Sequence, residues 1–245
     1  MSGSEQPFID HLVELRDRLL RIFIAVLVIF VCMAPFASEI YDFVADPLQR
    51  MLPEGTSMIA TEITSTFLTP FKLVFVLAFF AAIPFVLYQI WSFIAPGLYK
   101  HEKRIAVPLL VSSVFLFYAG MAFAYFVVFP LIFGFFTNQA HADITVLPDI
   151  KSYLELVLKL FFAFGFAFEI PVATVLLVWS GAVNPDQLAR KRPYVIVGCF
   201  VIGMLMTPPD MISQTLLAVP MWLLFELGII FGRMVKPKEA ATGAE

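Results

Sequence analysis

The sequence has little charge: only 14% of its 245 residues are Asp, Glu, Lys or Arg, against about 25% in ordinary soluble domains. Hydrophobic residues make up 60%, and 28 residues are phenylalanine. A soluble core could not hide this much apolar surface, so lipid is the expected solvent. The net charge of −3 gives no reason to expect nucleic-acid binding.

Cysteine and histidine are also scarce. Cys32 and Cys199 each lie alone in an apolar run, so we expect two small buried apolar side chains and no redox pair. The three histidines lie in separate loops and do not make a metal set. HExxH, GxSxG, P-loop and Gly-rich nucleotide motifs are missing. These absences argue against a hydrolase or an ATP-driven pump, and no cofactor or metal is expected.

The few charges divide the apolar sequence into six segments. They predict one membrane domain, residues 1–236, with helices at about 19–38, 68–92, 105–136, 154–181, 193–207 and 212–232 and a disordered tail at 237–245. A helix needs ~20 residues to cross a hydrocarbon core of ~30 Å. The fifth segment is apolar only from Tyr194 to Met206. It should form a short hairpin with the sixth helix and thin the bilayer locally.

Lysine and arginine lie mostly on one side of these helices. Twelve of the sixteen fall in the N-terminal segment, the loops after helices two and four, and the C-terminal tail. Because positive charge accumulates in cytoplasmic loops, this distribution places both termini in the cytoplasm. We therefore expect an all-α polytopic membrane protein with six transmembrane helices.

Proline occurs within the predicted helices, at Pro84, Pro108, Pro130, Pro171 and Pro220. Each proline removes a backbone donor and kinks or interrupts its helix. Kinked helices favour a concave cup over a straight bundle.

Two cytoplasmic carboxylates lie beside basic residues. HLVELRDRLL places His11, Glu14 and Arg18 at helical spacing, and FIAPGLYKHEKR contains Glu102. An exposed acid next to bases is usually a solvated surface pair that contributes little to stability. The alternative is a docking site for a cationic peptide, because carboxylates accept arginine in a bidentate geometry that lysine cannot match.

Three further acids lie in or near the predicted helices. Glu169 lies in the apolar run FAFGFAFEIPVATVLL, where an ionised carboxylate is costly. It is either a neutral carboxyl that ties helices together or part of a functional polar patch. Glu226, closer to a helix end, favours the structural alternative. Asp210, in the turn TPPDMISQ, is suited to capping the sixth helix, which does not exclude a second role.

Six motifs carry a resemblance to a known family. In chain order they are HLVELRDRLL, FIAPGLYKHEKR, FYAGMAFAYFVVFP, FEIPVA, RKRPYVIVG and MLMTPPDMISQTLLAVP. The chain resembles the twin-arginine protein translocase subunit TatC family over essentially its whole length. The resemblance implies a cup-shaped receptor and core scaffold in the bacterial inner membrane. Such a receptor exports folded proteins with the proton-motive force and without nucleotide.

The resemblance also implies site residues and partners. The site for signal peptides with two consecutive arginines would comprise Leu12, Glu14, Arg16, Phe93, Pro96, Leu98, Tyr99, Glu102 and Arg104. Other sensitive positions would be Pro47, Tyr125, Glu169 and Asp210. The docking surface for the single-span subunits TatA and TatB would comprise Met204, Thr207 and Gln214. Glu102 would be the principal carboxylate, Glu14 would assist it, and the protein would associate with further copies of itself.

Two other functions stay open from the residues alone. An ion-coupled secondary transporter would use Glu169 as a proton relay. A membrane enzyme is the third hypothesis, for which the sequence offers no catalytic constellation. Uptake of a small solute by the purified protein would favour the transporter, whereas crosslinking of a signal peptide to the loop after helix two would favour the receptor.

Overall fold

A computed structural model of the chain describes residues 6–49, 59–94, 103–139, 149–206 and 211–234. Regular structure in these residues is helical, apart from one isolated β-bridge between Ile59 and Asp149. The helices are α1 (Gln6–Met33), α2 (Ala37–Gln49), α3 (Ser65–Ala81), α4 (Ile83–Ile94), α5 (Lys103–Phe123), α6 (Phe129–Gln139), α7 (Ile150–Ala167), α8 (Ile170–Trp179), α9 (Pro185–Arg190), α10 (Arg192–Met206) and α11 (Met211–Met234). The predicted all-α class is confirmed.

Several of these helices are long and apolar enough to cross a membrane. In the described residues, four helical stretches meet this criterion: His11–Asp46, Val107–Gly134, Ile150–Trp179 and Gln214–Met234. The pair α3 and α4 meets it together and is bent by 48°. The helix α10 is apolar but has only 15 residues, or about 22 Å. These six segments are consistent with the predicted six spans. The short α10 agrees with the short fifth segment expected from the sequence, whereas α11, with 24 residues, is long enough to cross.

The prolines explain where the long helices are interrupted. Pro84, Pro130 and Pro171 each occupy the second position of a helix, namely α4, α6 and α8. A proline at the start of a helix costs no hydrogen bond, because an N–H at that position would have no acceptor within the helix. Because the same missing N–H cannot donate to the preceding turn, regular α-helical hydrogen bonding is interrupted just before each of these prolines. Pro108 and Pro220, in contrast, lie inside α5 and α11.

The first helix differs from its predicted bounds. It begins at Gln6 instead of near residue 19, and it gives way to a 3₁₀ turn, Ala34–Phe36, before α2. The charged segment before the apolar run is therefore helical too, and it continues the helix beyond the lipid-length stretch. The predicted tail at 237–245 lies outside the described residues.

The first of two compact units contains the described residues of Met1–Val114 and Pro148–Leu154. Within it α1 packs along α3 and α4. A small core of Val26, Ala78, Ala82 and Val86 lies at this contact. Because two of these four side chains are alanines at the α3–α4 bend, α1 can approach the bend closely.

The second compact unit contains the described residues of Phe115–Leu147 and Glu155–Glu245. Here α11 packs against both α8 and α10. The core between α7, α10 and α11 consists of Ala163, Ala167, Cys199, Ala218, Met221 and Leu224. The helices α5 and α7 meet at Gly120, where an added Cβ would clash with the Phe164 carbonyl, whose carbon lies 2.9 Å away. Glycine is therefore required for this helix contact.

The two cysteines differ from each other. Cys199 is buried in the second unit, as expected, whereas Cys32 is exposed on α1. The expectation that Cys32 is buried was therefore wrong. Its position within the membrane-length stretch His11–Asp46 explains the apolar run around it without requiring burial in protein.

Candidate functional site: an open carboxylate on the first helix

The N-terminal half of α1 contacts the C-terminal end of α4 through polar and aromatic side chains. The His11 and Phe93 rings stack with centroids 4.2 Å apart and an interplanar angle of 15°. One to two turns further along α1, Arg18 reaches the end of α4. The residues predicted for the signal site on these two helices, Glu14 and Phe93, are therefore brought close to each other within the first unit.

Arg18 is the centre of this contact. Its Nε and Nη2 donate to Glu14 Oε1 at 3.0 and 2.6 Å. Its Nη1 donates to the Gln89 side-chain and main-chain oxygens at 3.1 and 3.4 Å, and Nη2 also donates to the Ser92 carbonyl at 3.1 Å. Gln89 is only 4% exposed, so its amide needs a partner inside the protein.

Among the described residues, Glu14 has one oxygen that accepts hydrogen bonds and one that is open. Both bonds from Arg18 end on Oε1, while the basic atom near Oε2 is His11 Nδ1, 4.0 Å away. Glu14 keeps 39% of its side chain exposed, against 18% for Arg18. A carboxylate oxygen of this kind can accept a further hydrogen bond from a cationic ligand.

Other predicted signal-site residues have separate surroundings. Leu12 is exposed, and Arg16 donates to the neighbouring Asp17 at 2.8 Å. Arg104 lies in the first turn of α5, and nothing is described of its side chain. Pro96, Leu98, Tyr99 and Glu102 lie outside the described residues.

The predicted partner surface lies on α10 and α11 of the second unit. The Met204 side chain is exposed. The Gln214 amide Nε2 donates to the Phe200 carbonyl at 2.8 Å and so ties the two helices of the hairpin together. Thr207 and Asp210 lie outside the described residues. Gln214 thus has a packing role that the sequence did not indicate.

The remaining predicted positions lie in helices of both units. Glu169 stands at the break between α7 and α8, with its Oε1 buried and without a side-chain capping bond to α8. Tyr125 lies in a π-helical turn, Ala124–Val128, and its ring faces Phe129 with centroids 6.4 Å apart. Pro47 lies in α2, and its side chain is not described.

Sequence reasoning missed a second polar cluster in the first unit. Asp149 accepts from the Thr61 N–H and hydroxyl through Oδ1, and from the Ser152 N–H and hydroxyl through Oδ2, all at 2.9–3.1 Å. Hydrogen bonds from Ser152 and then Thr61 lower the Asp149 pKa to about 2. The Asp149–Ser152 spacing is typical of a helix N-cap and could have revealed half of this cluster.

A third carboxylate, Glu226 in the second unit, forms a bidentate pair with Arg192. The two bonds measure 2.6 and 2.7 Å, and the Glu226 side chain is 19% exposed. This supports the structural alternative for Glu226. Beside it, Arg233 on α11 donates to Asp186 on α9 at 3.1 Å. The described residues contain no group of three His, Cys, Asp or Glu that could hold a metal ion.

The sequence is similar to proteins of one family. The family model for TatC, the Sec-independent protein translocase protein, matches residues 10–220. The TatC protein of Azotobacter chroococcum mcd 1 is 58% identical over 244 residues, which cover 100% of this chain and 96% of that protein. The TatC protein of Escherichia coli (strain K12) is 59% identical over 228 residues, which cover 93% of this chain and 88% of that protein.

The fold is similar to a solved structure of the same family. The crystal structure of the twin-arginine translocase receptor TatC has a TM-score of 0.84 and 39% sequence identity to this chain. The match covers 92% of this chain and 99% of the solved one. Sequence and fold agree over nearly the whole length, and this chain belongs to the TatC family of Sec-independent protein translocase proteins.

Proposed function

We propose that the chain is the receptor and core scaffold subunit of a twin-arginine translocase in the bacterial inner membrane. It binds the twin-arginine signal peptides of folded cargo, docks the single-span subunits TatA and TatB, and associates with further copies of itself. Export is driven by the proton-motive force. Family membership supports the proposal, and the distribution of lysine and arginine supports cytoplasmic placement of both termini.

One observation carries the signal-binding part of the proposal: the open oxygen of Glu14. Oε1 accepts from Arg18, Oε2 accepts no hydrogen bond from the described part of the chain, and the carboxylate is partly exposed beside the stacked His11 and Phe93 rings. A guanidinium from a signal peptide can bond to Oε2 while its flat face lies near these rings. Glu102, on the segment that follows α4 in the sequence, supplies the second and principal carboxylate.

The test of this proposal is peptide binding by the whole chain in detergent micelles. A labelled peptide with two consecutive arginines should bind at least about tenfold more tightly than the same peptide with two lysines, because lysine lacks the bidentate geometry. Glu102→Ala should remove most of that difference. Asp186→Ala, which removes an acid that is 75% exposed, is the control and should change neither affinity. Equal binding of the two peptides by the native protein would contradict the proposal.

The docking of TatA and TatB is proposed for the α10–α11 hairpin. Met204 offers an exposed apolar contact, and Gln214 holds α11 against the Phe200 carbonyl of α10. A hairpin in which one helix, α10, is shorter than the lipid core is suited to a small partner helix through close packing and interhelical hydrogen bonds. Gln214→Leu should therefore reduce copurification of the partner subunits more than it reduces signal-peptide binding.

Two glycines of α10 provide a matched pair for this test. A Cβ on Gly203 would lie 3.2 Å from the Gln214 side chain and carbonyl, whereas a Cβ on Gly198 would meet nothing within 4 Å. Gly203→Ala should weaken partner docking in the same way as Gln214→Leu, and Gly198→Ala should not. Equal effects of the two substitutions would mean that the hairpin contact does not shape the docking surface.

Glu169 is proposed as a functional carboxyl within the membrane, together with Pro47, Tyr125 and Asp210 as sensitive positions. The support for Glu169 is its place at the α7–α8 break, where its Oε1 is buried in an otherwise apolar stretch. Glu169→Gln keeps the shape and removes the ionisable group, so export of a folded cargo should fall strongly. Normal export would leave only a structural role. Uptake of a small solute by the purified native protein, lost in Glu169→Gln, would instead support the secondary transporter.

A further inference from the structure

The guanidinium of Arg18 has an acceptor for every one of its hydrogens. An arginine side chain carries five N–H donors in a fixed planar arrangement. Here the N–H of Nε and one N–H of Nη2 donate to Glu14, and the second N–H of Nη2 donates to Ser92. Both N–H groups of Nη1 donate to Gln89. A side chain used so completely has no capacity left for a ligand of its own.

The same bonds fix the carboxylate of Glu14. Because the two donors of Arg18 that reach Glu14 share Oε1, the rotation of the carboxylate is restrained and Oε2 is left as the accessible edge. The free alternative, a Glu14 that rotates on an exposed helix surface, would lose side-chain entropy on binding a ligand. Arg18 removes that cost in advance.

Arg18 also holds the end of α4. Ser92 belongs to the last turn of α4, where helix carbonyls have no partner within the helix. A cation at a helix C-terminus is stabilising, and Arg18 supplies one. The α4 helix ends at Ile94, directly before the sequence segment that contains Glu102. One side chain on α1 is therefore bonded both to Glu14 and to the helix that precedes Glu102.

We propose that Arg18 is a positioning residue of the signal site. It directs Oε2 of Glu14 toward an incoming signal guanidinium, and it fixes the position of the end of α4 relative to Glu14. This inference rests on the proposed signal-peptide function. Arg18 itself does not touch the peptide, because its donors are all engaged and its charge has the same sign as the ligand.

The opposite role for Arg18 makes a different prediction. If Arg18 competed with the signal arginines for Glu14, removing its guanidinium would tighten peptide binding. Arg18→Lys separates the two roles because it keeps the positive charge and removes the planar fork. A lysine has three donors on one atom and cannot reach Glu14, Gln89 and Ser92 together in this geometry.

The experiment measures the dissociation constant of a labelled twin-arginine peptide for the whole chain in detergent micelles. The variants are Arg18→Lys, Glu14→Gln and the double variant. We expect Arg18→Lys to weaken binding at least about fivefold and Glu14→Gln about tenfold. The loss in the double variant should be smaller than the product of the two single losses, since part of the effect of Arg18 passes through Glu14. Arg21→Lys, at an exposed arginine of the same helix, is the control and should leave binding unchanged.

Each outcome decides the proposal. Unchanged or tighter binding by Arg18→Lys would overturn it, and so would a double variant whose loss equals the product of the two single losses. A native protein that binds no twin-arginine peptide would instead refute the proposed function itself. If Arg18→Lys does not fold, Gln89→Met removes one tether and leaves the Arg18–Glu14 pair. A loss of about threefold in that variant would support the proposal, and unchanged binding would overturn it.

Discussion

Glu14 and Asp149 are two carboxylates of the same compact unit, and they differ in what their oxygens do. Asp149 accepts two hydrogen bonds on each oxygen, from Thr61 and Ser152. Glu14 accepts two bonds on one oxygen and leaves the other near His11, at 4.0 Å. A carboxylate whose two oxygens are both occupied holds structure together, whereas one with an open oxygen can bind a cation without breaking an existing bond.

Glu226 belongs with Asp149 in this comparison. Both of its oxygens accept from Arg192, and the pair joins α10 to α11 in the second unit. From the sequence Glu14, Glu226 and Asp149 are all acids near helix ends. The structure separates them by the number of carboxylate oxygens that remain open to a ligand.

The largest effect is expected from Glu226→Ala. This change removes a bidentate partner whose side chain is 19% exposed, so it should lower the unfolding free energy more than the loss of a fully exposed ion pair does. Thermal unfolding in detergent measures the loss, and peptide binding by the folded fraction should not change. The control is Asp186→Ala, which breaks the exposed pair with Arg233 and should cost less than about 0.5 kcal/mol. Equal losses in the two variants would show that the bidentate geometry contributes nothing.

A smaller effect is expected from Asp149→Ala. The side chain caps the first turn of α7 and bonds to Thr61, so its loss should cost about 1–2 kcal/mol of unfolding free energy. The nearby pair of Lys151 with Glu62 is exposed, and Glu62→Ala serves as the control with a loss below about 1 kcal/mol. A weaker affinity for the twin-arginine peptide in Asp149→Ala would contradict the claim that Asp149, unlike Glu14, has only a structural role.

The smallest effect concerns pH. The Asp149 pKa is lowered from 3.8 to about 2 by hydrogen bonds that stabilise its charged form. Its contribution to stability is therefore complete above the ordinary pKa of 3.8 and disappears as the pH falls toward about 2. As the pH falls from 3.8 toward about 2, the unfolding free energy of the native chain should approach that of Asp149→Asn. Above this interval the difference between the two should not change with pH. An Asp149 carboxyl that titrates near 3.8 by carbon-13 NMR would contradict the assignment.

As a member of the TatC family, the chain is a component of a protein translocase and a multi-pass membrane protein, not an enzyme. Much of this was accessible from the sequence. The scarcity of charge predicted lipid as the solvent, the apolar segments predicted the helices, and the long motifs identified the family. The short α10 followed from counting the apolar residues before the turn TPPDMISQ, since helix length is a local property.

The contacts that define the site were not accessible from the sequence. Glu14 and Arg18 are four residues apart, and helical spacing alone pairs them. Gln89 lies 71 residues from Arg18, and Glu226 lies 34 residues from Arg192. Such pairs depend on how helices pack. No local sequence pattern distinguishes a buried glutamine that accepts a hydrogen bond from a distant arginine from an ordinary glutamine in a helix.

The most direct test of the account compares the open carboxylate with the closed one in a single binding assay. The affinity of the twin-arginine peptide is measured for the native chain, Glu14→Gln and Asp149→Asn. In Glu14→Gln the amide oxygen can still accept from Arg18, so the helix contact is kept and only the charge at the open edge is lost. The account predicts about tenfold weaker binding for Glu14→Gln and native affinity for Asp149→Asn. Native affinity for Glu14→Gln, or an equal loss in both variants, would contradict it.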